Sequence, residues 1–201
     1  MKGFRDILFP TPLYSTAVPD MEKLNKYLIP RIKKWRKKEK GLRKTNINGW
    51  HSDTDMAHKK EYSRLTNLII AMAREVFKDY HIKGRPGIGN MWANINYQGS
   101  YNVVHVHPNA VMSGSYYIQV PEKSGHIFFQ DPRPGPSYLL PDRVKPLPSV
   151  LADQIECQTP TGRCIMFPGW LHHGVTQNKS KLKGEKGWRI SVAFNVVAIN
   201  K

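Results

Sequence analysis

Over the first 80 residues apolar positions recur at three- and four-residue steps; from Met91 onward they switch to alternation and short apolar runs. Helices followed by strands are therefore predicted. Asp20 offers an N-cap to a helix carrying Met21, Leu24, Tyr27, Leu28, Ile32 and Trp35 on one face, with Pro30 expected to kink or split it. A second helix is predicted over Ala57 to Tyr80, with Leu65, Leu68, Ile69, Met72 and Val76 on its apolar side. Around these, ILFPTPLYSTAV suits a short strand broken by Pro10 and Pro12, NINGWHSDTD reads as a loop, and HIKGRPGIGN reads as a breaker.

The later runs are MWANINY, NVVHVH, SGSYYIQV, HIFFQ, QIECQT, GRCIMFP and WRISVAFNVVAI, separated by PEKSG and by a Pro-rich segment from Asp131 to Pro148. Closely spaced strands with no helical pattern between them imply an antiparallel sandwich or barrel. The expected class is α+β, mainly β with N-terminal helices. Residues 1–201 are read as one domain, in which 1–90 form a helical support and 91–201 the β core.

The chain has 201 residues, 40% of them hydrophobic, and five tryptophans, which suits one well-buried core. No run approaches the length of a membrane span. The stretch MKGFRDILFPTPLYS has Lys2 and Arg5 but an interrupted apolar segment and no small-residue cleavage site, so a signal peptide is not expected. Cys157 and Cys164 are too few for a disulfide framework. A cytoplasmic protein without membrane attachment is the simplest expectation.

The formal charge of +16 is uneven: residues 1–90 hold 20 Lys+Arg against 9 Asp+Glu, and the rest hold 11 against 6. Most of the excess lies in RIKKWRKKEKGLRKT, from Arg31 to Thr45. Such a run fits a solvated helix face or an anionic partner: nucleic acid, an acidic protein or a metabolite. It speaks to partners and leaves the chemistry open.

The chemistry begins at YNVVHVHPNAVMSGSYYI, where His105 and His107 occupy positions a strand normally gives to Val or Ile. Two residues apart, their side chains share a face, which suits two ligands on one metal. Alone, H-x-H is a weak signal. FPGWLHHGVTQN adds His172 and His173 near the end of another predicted strand. Imidazole nitrogen suits iron, copper, nickel and zinc, and three protein ligands leave positions open for substrate. In the last run Arg189 and Ser191 share one face. An arginine in an apolar strand either faces water at an edge or holds an anion, and its planar fork matches a carboxylate.

Taken in order, these residues resemble the iron(II)- and 2-oxoglutarate-dependent oxygenases. That family has a first histidine, a second ligand two residues on, a distal histidine on a later strand, then R-x-S. His105, His107, His173, Arg189 and Ser191 match that order. Trp92 with Asn94, the run His105 to Pro108, Ser113 to Tyr117, Phe167 to Trp170 and Arg189 to Asn195 match a small group of the family carrying W-x-N, H-x-H-P, SG-x-YY, FP-x-W and R-x-S-x-x-F-N. LFPTP and NGWHS look like that group too. The resemblance covers about residues 91–201. It implies a double-stranded β-helix, a cupin-like jelly roll, with Fe(II) on His105, His107 and His173. It implies 2-oxoglutarate as cosubstrate, its distal carboxylate against Arg189, Ser191 and Tyr117, with Ser113 and Asn94 beside it. Oxygen would be consumed and an unidentified substrate oxidised, with release of succinate and CO2.

One departure stands out. The usual facial triad has two histidines and a carboxylate, and here His107 fills the acidic slot, unless His107 is the first ligand and Asn109 the second. His172 rather than His173 is the other alternative for the distal ligand. Two rival functions remain: a cupin-like metal protein that uses no 2-oxoglutarate, and a basic nucleic-acid-binding module. The substrate, whether protein, nucleic acid or small metabolite, is not named by these residues, nor is the oligomeric state. Trp50, His51 and Asp131 fit either substrate contacts or, more simply, loop anchors.

Overall fold

The structure, a computed structural model, describes residues 3, 4, 6–134 and 142–200. Lys2, Arg5 and residues 135–141 of the Pro-rich segment lie outside the described residues. After a first strand, β1 (Tyr14–Ala17), helix α1 runs from Met21 to Lys38. Two two-residue strands follow, β2 (Asn46–Ile47) and β3 (Trp50–His51), then helix α2 (Ser63–Asp79). The remaining strands are β4 (Arg85–Asn96), β5 (Tyr101–His105), β6 (Met112–Gln119), β7 (Ile127–Gln130), β8 (Gln154–Cys157), β9 (Arg163–Pro168), β10 (His173–Val175) and β11 (Arg189–Ile199).

They form two antiparallel sheets, a larger one in the order β1-β9-β6-β11-β4-β3 and a smaller one in the order β2-β5-β10-β7-β8. Side-chain alternation divides the larger sheet into two faces with different tasks. Met91, Ala93 and Ile95 of β4, Met112, Tyr116 and Ile118 of β6, Cys164 and Met166 of β9, and Ile190, Val192, Phe194 and Val196 of β11 point to the helices. There they pack with Leu24, Leu28, Ile32 and Trp35 of α1 and Leu65, Ile69, Val76 and Phe77 of α2. Each fully buried Val, Leu, Ile, Phe or Met side chain among them contributes about 1.5–3 kcal/mol relative to exposure. The intervening residues face the smaller sheet. A second apolar cluster of Tyr117, Ile127, Phe129, Ile165, Phe167 and Leu171 closes part of that space, and a cavity fills the rest.

Several local expectations are corrected. α1 is continuous through Pro30: Pro30 and Lys26, whose carbonyl loses its partner, are both exposed, so water can satisfy the freed group. Asp20 makes no side-chain cap; it adopts a left-handed conformation with φ 50°, and its carbonyl accepts from Leu24 N–H at 3.1 Å. The segment ahead of α2 forms two short 3-10 turns, Met56–His58 and Lys60–Tyr62. The supposed breaker is the first half of β4, paired with β11 from Arg85↔Ile199 onward. Its glycines are covered by neighbours, since a Cβ on Gly87 would stand 2.4 Å from Ile199 Cδ1. The supposed loop NINGWHS carries β2 and β3, one on each sheet. No helix among the described residues is long and apolar enough to cross a membrane.

Candidate metal and cosubstrate site

The imidazoles are brought together by strand pairing. β10 lies between β5 and β7, and its register sets His173 opposite His105. His107 follows β5 by two residues and is held by its own N–H on Gly169 O at 2.8 Å, in the loop after β9. One ring nitrogen from each of His105, His107 and His173 lies within 4.8 Å of the others, and no other group of this kind occurs among the described residues.

The hydrogen bonds fix which nitrogen is offered. His105 Nδ1 lies 2.8 Å from Val103 O and His173 Nδ1 lies 2.8 Å from Leu171 O. A carbonyl only accepts, so both Nδ1 atoms carry the proton and both Nε2 atoms present a lone pair. His107 Nε2 faces His173 Nε2 at 3.2 Å, an arrangement that a shared proton or a shared cation satisfies. Burial lowers all three imidazole pKa values, His107 to about 4 and His173 to about 3. The neutral ring is the metal-binding form.

Apolar and aromatic groups enclose the triad. Phe167 meets His173 edge-on with ring centroids 4.7 Å apart, and Trp92 lies 5.9 Å from His107. His51, on β3, stacks on the other side of this wall, 5.2 Å from Trp92 at 12° between planes. The cavity measures about 250 Å³ and includes Asn90, Trp92, Asn94 and Asn96 of β4, Ser115 and Tyr117 of β6, and Arg189, Ser191, Ala193 and Asn195 of β11. Among the described residues no carboxylate lines it.

Arg189 is 2% exposed, pairs with no carboxylate among the described residues, and leaves its Nε without a hydrogen-bond partner. Its guanidinium carbon stands 5.0 Å from the centre of the Tyr117 ring. Burial pulls its pKa below the usual value, with Tyr117 opposing. The Tyr117 hydroxyl and Thr159 Oγ1 are likewise buried and unpartnered. Burial holds the Tyr117 phenol protonated, its pKa pushed up to about 12 against the pull of Arg189 and the Thr159 hydroxyl. A buried, uncompensated guanidinium with an unpartnered Nε, beside the unpartnered Tyr117 hydroxyl, forms a dry receptor for a carboxylate. The triad, Tyr117 and Arg189 line one cavity, with Thr159 outside its lining, so the residues present fit a metal ion together with a dicarboxylate.

The expected residues are distributed as follows. His105, His107, His173, Arg189, Ser191, Tyr117 and Asn94 all line the cavity, and Asn94 Oδ1 is buried without a partner. Ser113 lies outside the lining; its hydroxyl donates to Asn195 Oδ1 at 2.6 Å. His172 is exposed while His173 is buried, and Asn109 is exposed on a turn with φ 67°. Trp50 anchors its loop by donating to Glu39 O, and Asp131 is forked to Arg133. Sequence reasoning missed Thr159, and it undervalued His51, which lines the cavity.

No curated protein matches the chain by sequence. Among solved structures, the carbocyclase SnoK of nogalamycin biosynthesis, a non-heme α-ketoglutarate-dependent enzyme, superposes with TM-score 0.67 at 11% identity, over 94% of this chain and 80% of its own. A prolyl-4-hydroxylase from Pseudomonas putida gives 0.63 at 11%, over 94% of each chain. HygX from Streptomyces hygroscopicus, solved with nickel, 2-oxoglutarate and hygromycin B bound, gives 0.65 at 10%, over 94% and 83%. At these identities the likeness establishes the fold, the jelly roll of such oxygenases. In sequence, residues 90–195 match the family described as "Putative 2OG-Fe(II) oxygenase". That match takes in more than half of the chain, from the cavity face of β4 to that of β11, and the protein therefore belongs to the 2OG-Fe(II) oxygenases, which work with iron(II) and 2-oxoglutarate.

Proposed function

We propose that the protein binds iron(II) through Nε2 of His105 and His173 together with the ring of His107, and seats 2-oxoglutarate against Arg189, Ser191, Tyr117 and Thr159. It oxidises a substrate that enters past His51 and Trp92, releasing succinate and CO2. The observation that carries this reading is the convergence of three neutral imidazoles in a cavity whose wall also holds an unpaired buried guanidinium. The reading takes residues 1–90 as support and 91–201 as the catalytic part of one domain, acting in the cytoplasm.

Iron(II), when bound, supplies the redox chemistry: one oxygen atom goes to succinate as 2-oxoglutarate loses CO2, and the other goes to the substrate. The chain's own residues position and insulate. The Nδ1–H bonds of His105 and His173 to backbone carbonyls orient both rings and raise the basicity of the opposite nitrogens. Three neutral donors add no negative charge, so a bound cation keeps its full attraction for an anionic cosubstrate. Arg189 offers a planar fork to the distal carboxylate, Ser191 stands on the same strand face, and the protonated Tyr117 hydroxyl donates. Phe129, Ile127 and Phe167 keep the site dry, which strengthens these contacts. Asn94 lies beside the cosubstrate with a free amide oxygen, and Ser113 acts from behind by holding Asn195.

Anaerobic titration with iron(II) and 2-oxoglutarate tests the assignment. A visible charge-transfer band is expected in the wild type, absent in His173→Ala, and requiring far more 2-oxoglutarate in Arg189→Ala. No band in the wild type, with cosubstrate binding unchanged in Arg189→Ala, would overturn it.

A further inference from the structure

Six side chains between Lys34 and Lys44 are exposed cations: Lys34, Lys37, Lys38, Lys40, Arg43 and Lys44. None forms an ion pair among the described residues. Nearby cations are occupied, Lys33 by Glu185 at 2.7 Å and Arg36 by the Tyr97 hydroxyl at 2.5 Å. The helix dipole accounts for Lys37 and Lys38 in the last turn of α1. It does not account for Lys40, Arg43 and Lys44, which lie beyond that turn.

Those three sit on an ordered shelf. Leu42 N–H donates to His51 O at 2.8 Å and Lys44 N–H to Asn46 Oδ1 at 2.8 Å. Asn46 Nδ2 in turn donates to Leu42 O and Gly49 O. The shelf ends inside the site, because Lys44 and Thr45 line the same cavity as His51, Trp92 and the triad. Further in, Asn90 Oδ1 and Asn94 Oδ1 are buried acceptors without partners, next to the flat wall of Trp92 and His51.

We propose that this shelf takes the phosphates of a single-stranded nucleic acid and that one of its bases enters the cavity as the group to be oxidised. The inference rests on the oxygenase reading above. A row of six cations exceeds what one small anion can use, whereas successive phosphates use all of them. Amide side chains read base edges, and an aromatic wall stacks an unpaired base. An acidic peptide would satisfy the shelf but would not need the stacking wall.

The test uses the full chain loaded with nickel and 2-oxoglutarate, and a short fluorescein-labelled single strand followed by anisotropy at several salt concentrations. Binding is expected to weaken steeply with salt. In Lys34→Glu/Lys40→Glu/Arg43→Glu, which spares the last helical turn and the cavity, it should weaken at least about tenfold, with a salt slope shallower by about 2. A strand carrying one 2-aminopurine should lose emission on binding, and recover it in Trp92→Ala. The proposal is overturned by equal binding of the charge-reversed variant, by an unquenched 2-aminopurine, or by a polyglutamate peptide that binds more tightly than the strand. The anaerobic iron–2-oxoglutarate band is recorded on the same variants loaded with iron(II) in place of nickel. Loss of that band condemns the oxygenase assignment, while its retention with failed strand binding condemns only the substrate.

Discussion

His107 and His173 meet Nε2 to Nε2 at 3.2 Å although 66 residues separate them in the chain. One follows β5 and the other opens β10, and the antiparallel β5–β10 pairing brings those strands side by side. Because both rings are neutral, His173 buried and His107 half-buried, the pair is poised for a cation rather than for two protons.

Removing one member should therefore abolish tight metal binding. For His107→Ala the nickel or cobalt dissociation constant, measured by calorimetry, should rise by more than about 100-fold, exceeding the loss seen when only a group behind a ligand is removed. His172→Ala is the control: its side chain is exposed, and affinity should not change. Equal losses in both variants would mean that the distal ligand is misassigned.

Arg189 makes a less intuitive prediction. A buried charge without a counter-charge destabilises the fold that contains it. Arg189→Met should leave the ligand-free protein as stable as the wild type or more so. The same change should remove the cosubstrate's stabilisation: adding 2-oxoglutarate to the nickel-loaded protein should raise the melting temperature of the wild type further and leave that of the nickel-loaded variant unchanged. Affinity should fall by about 2–5 kcal/mol, the usual cost of truncating one partner of a buried charged pair.

His51 supplies a pH dependence. Burial, with Lys44 adding to it, lowers its pKa, while the bond from Nδ1 to Ser52 O at 2.6 Å opposes. The unfolded chain takes up a proton near pH 6.5, but the folded chain resists until a lower pH. His51 therefore favours folding fully above pH 6.5, and that contribution declines as pH falls toward the folded pKa. The slope approaches about 1.4 kcal/mol per pH unit within this window. His51→Phe keeps a ring against Trp92 and removes the titration. Its unfolding free energy should fall less steeply than that of the wild type between pH 6.5 and 5.

The site was legible in the sequence where it follows strand parity. Arg189, Ser191 and Asn195 share a face by counting, as do Trp92, Asn94 and Asn96, and the structure puts both rows on the cavity. Thr159 was not legible, because it lies in an irregular turn before β9 with no periodicity to orient it. His51 was read in preference as a loop anchor for a related reason: β3 is two residues long and exists only because Trp50 pairs with Ile95 and His51 with Asn94. The start of β4 was hidden by Gly87 and Gly89, whose missing side chains are replaced by Ile199 and Val197 from β11.

The SG-x-YY motif has a structural component separable from chemistry, and Gly114 tests it. A Cβ there would stand 2.3 Å from Ile165 O and 2.4 Å from Phe194 Cζ. Phe194 is fully buried and pairs directly with Gly114 across β6 and β11. The glycine thus makes room for the phenyl ring beneath the helices, while Ser115 and Tyr117 face the cavity. Gly114→Ala should cost about 1–3 kcal/mol through overpacking, read as a lower urea midpoint with an unchanged m-value. Combining it with Phe194→Leu should recover part of the loss, since the second change relieves the ring contact but not the one with the Ile165 carbonyl. A double-mutant cycle with no coupling would show that the glycine is not required by that ring.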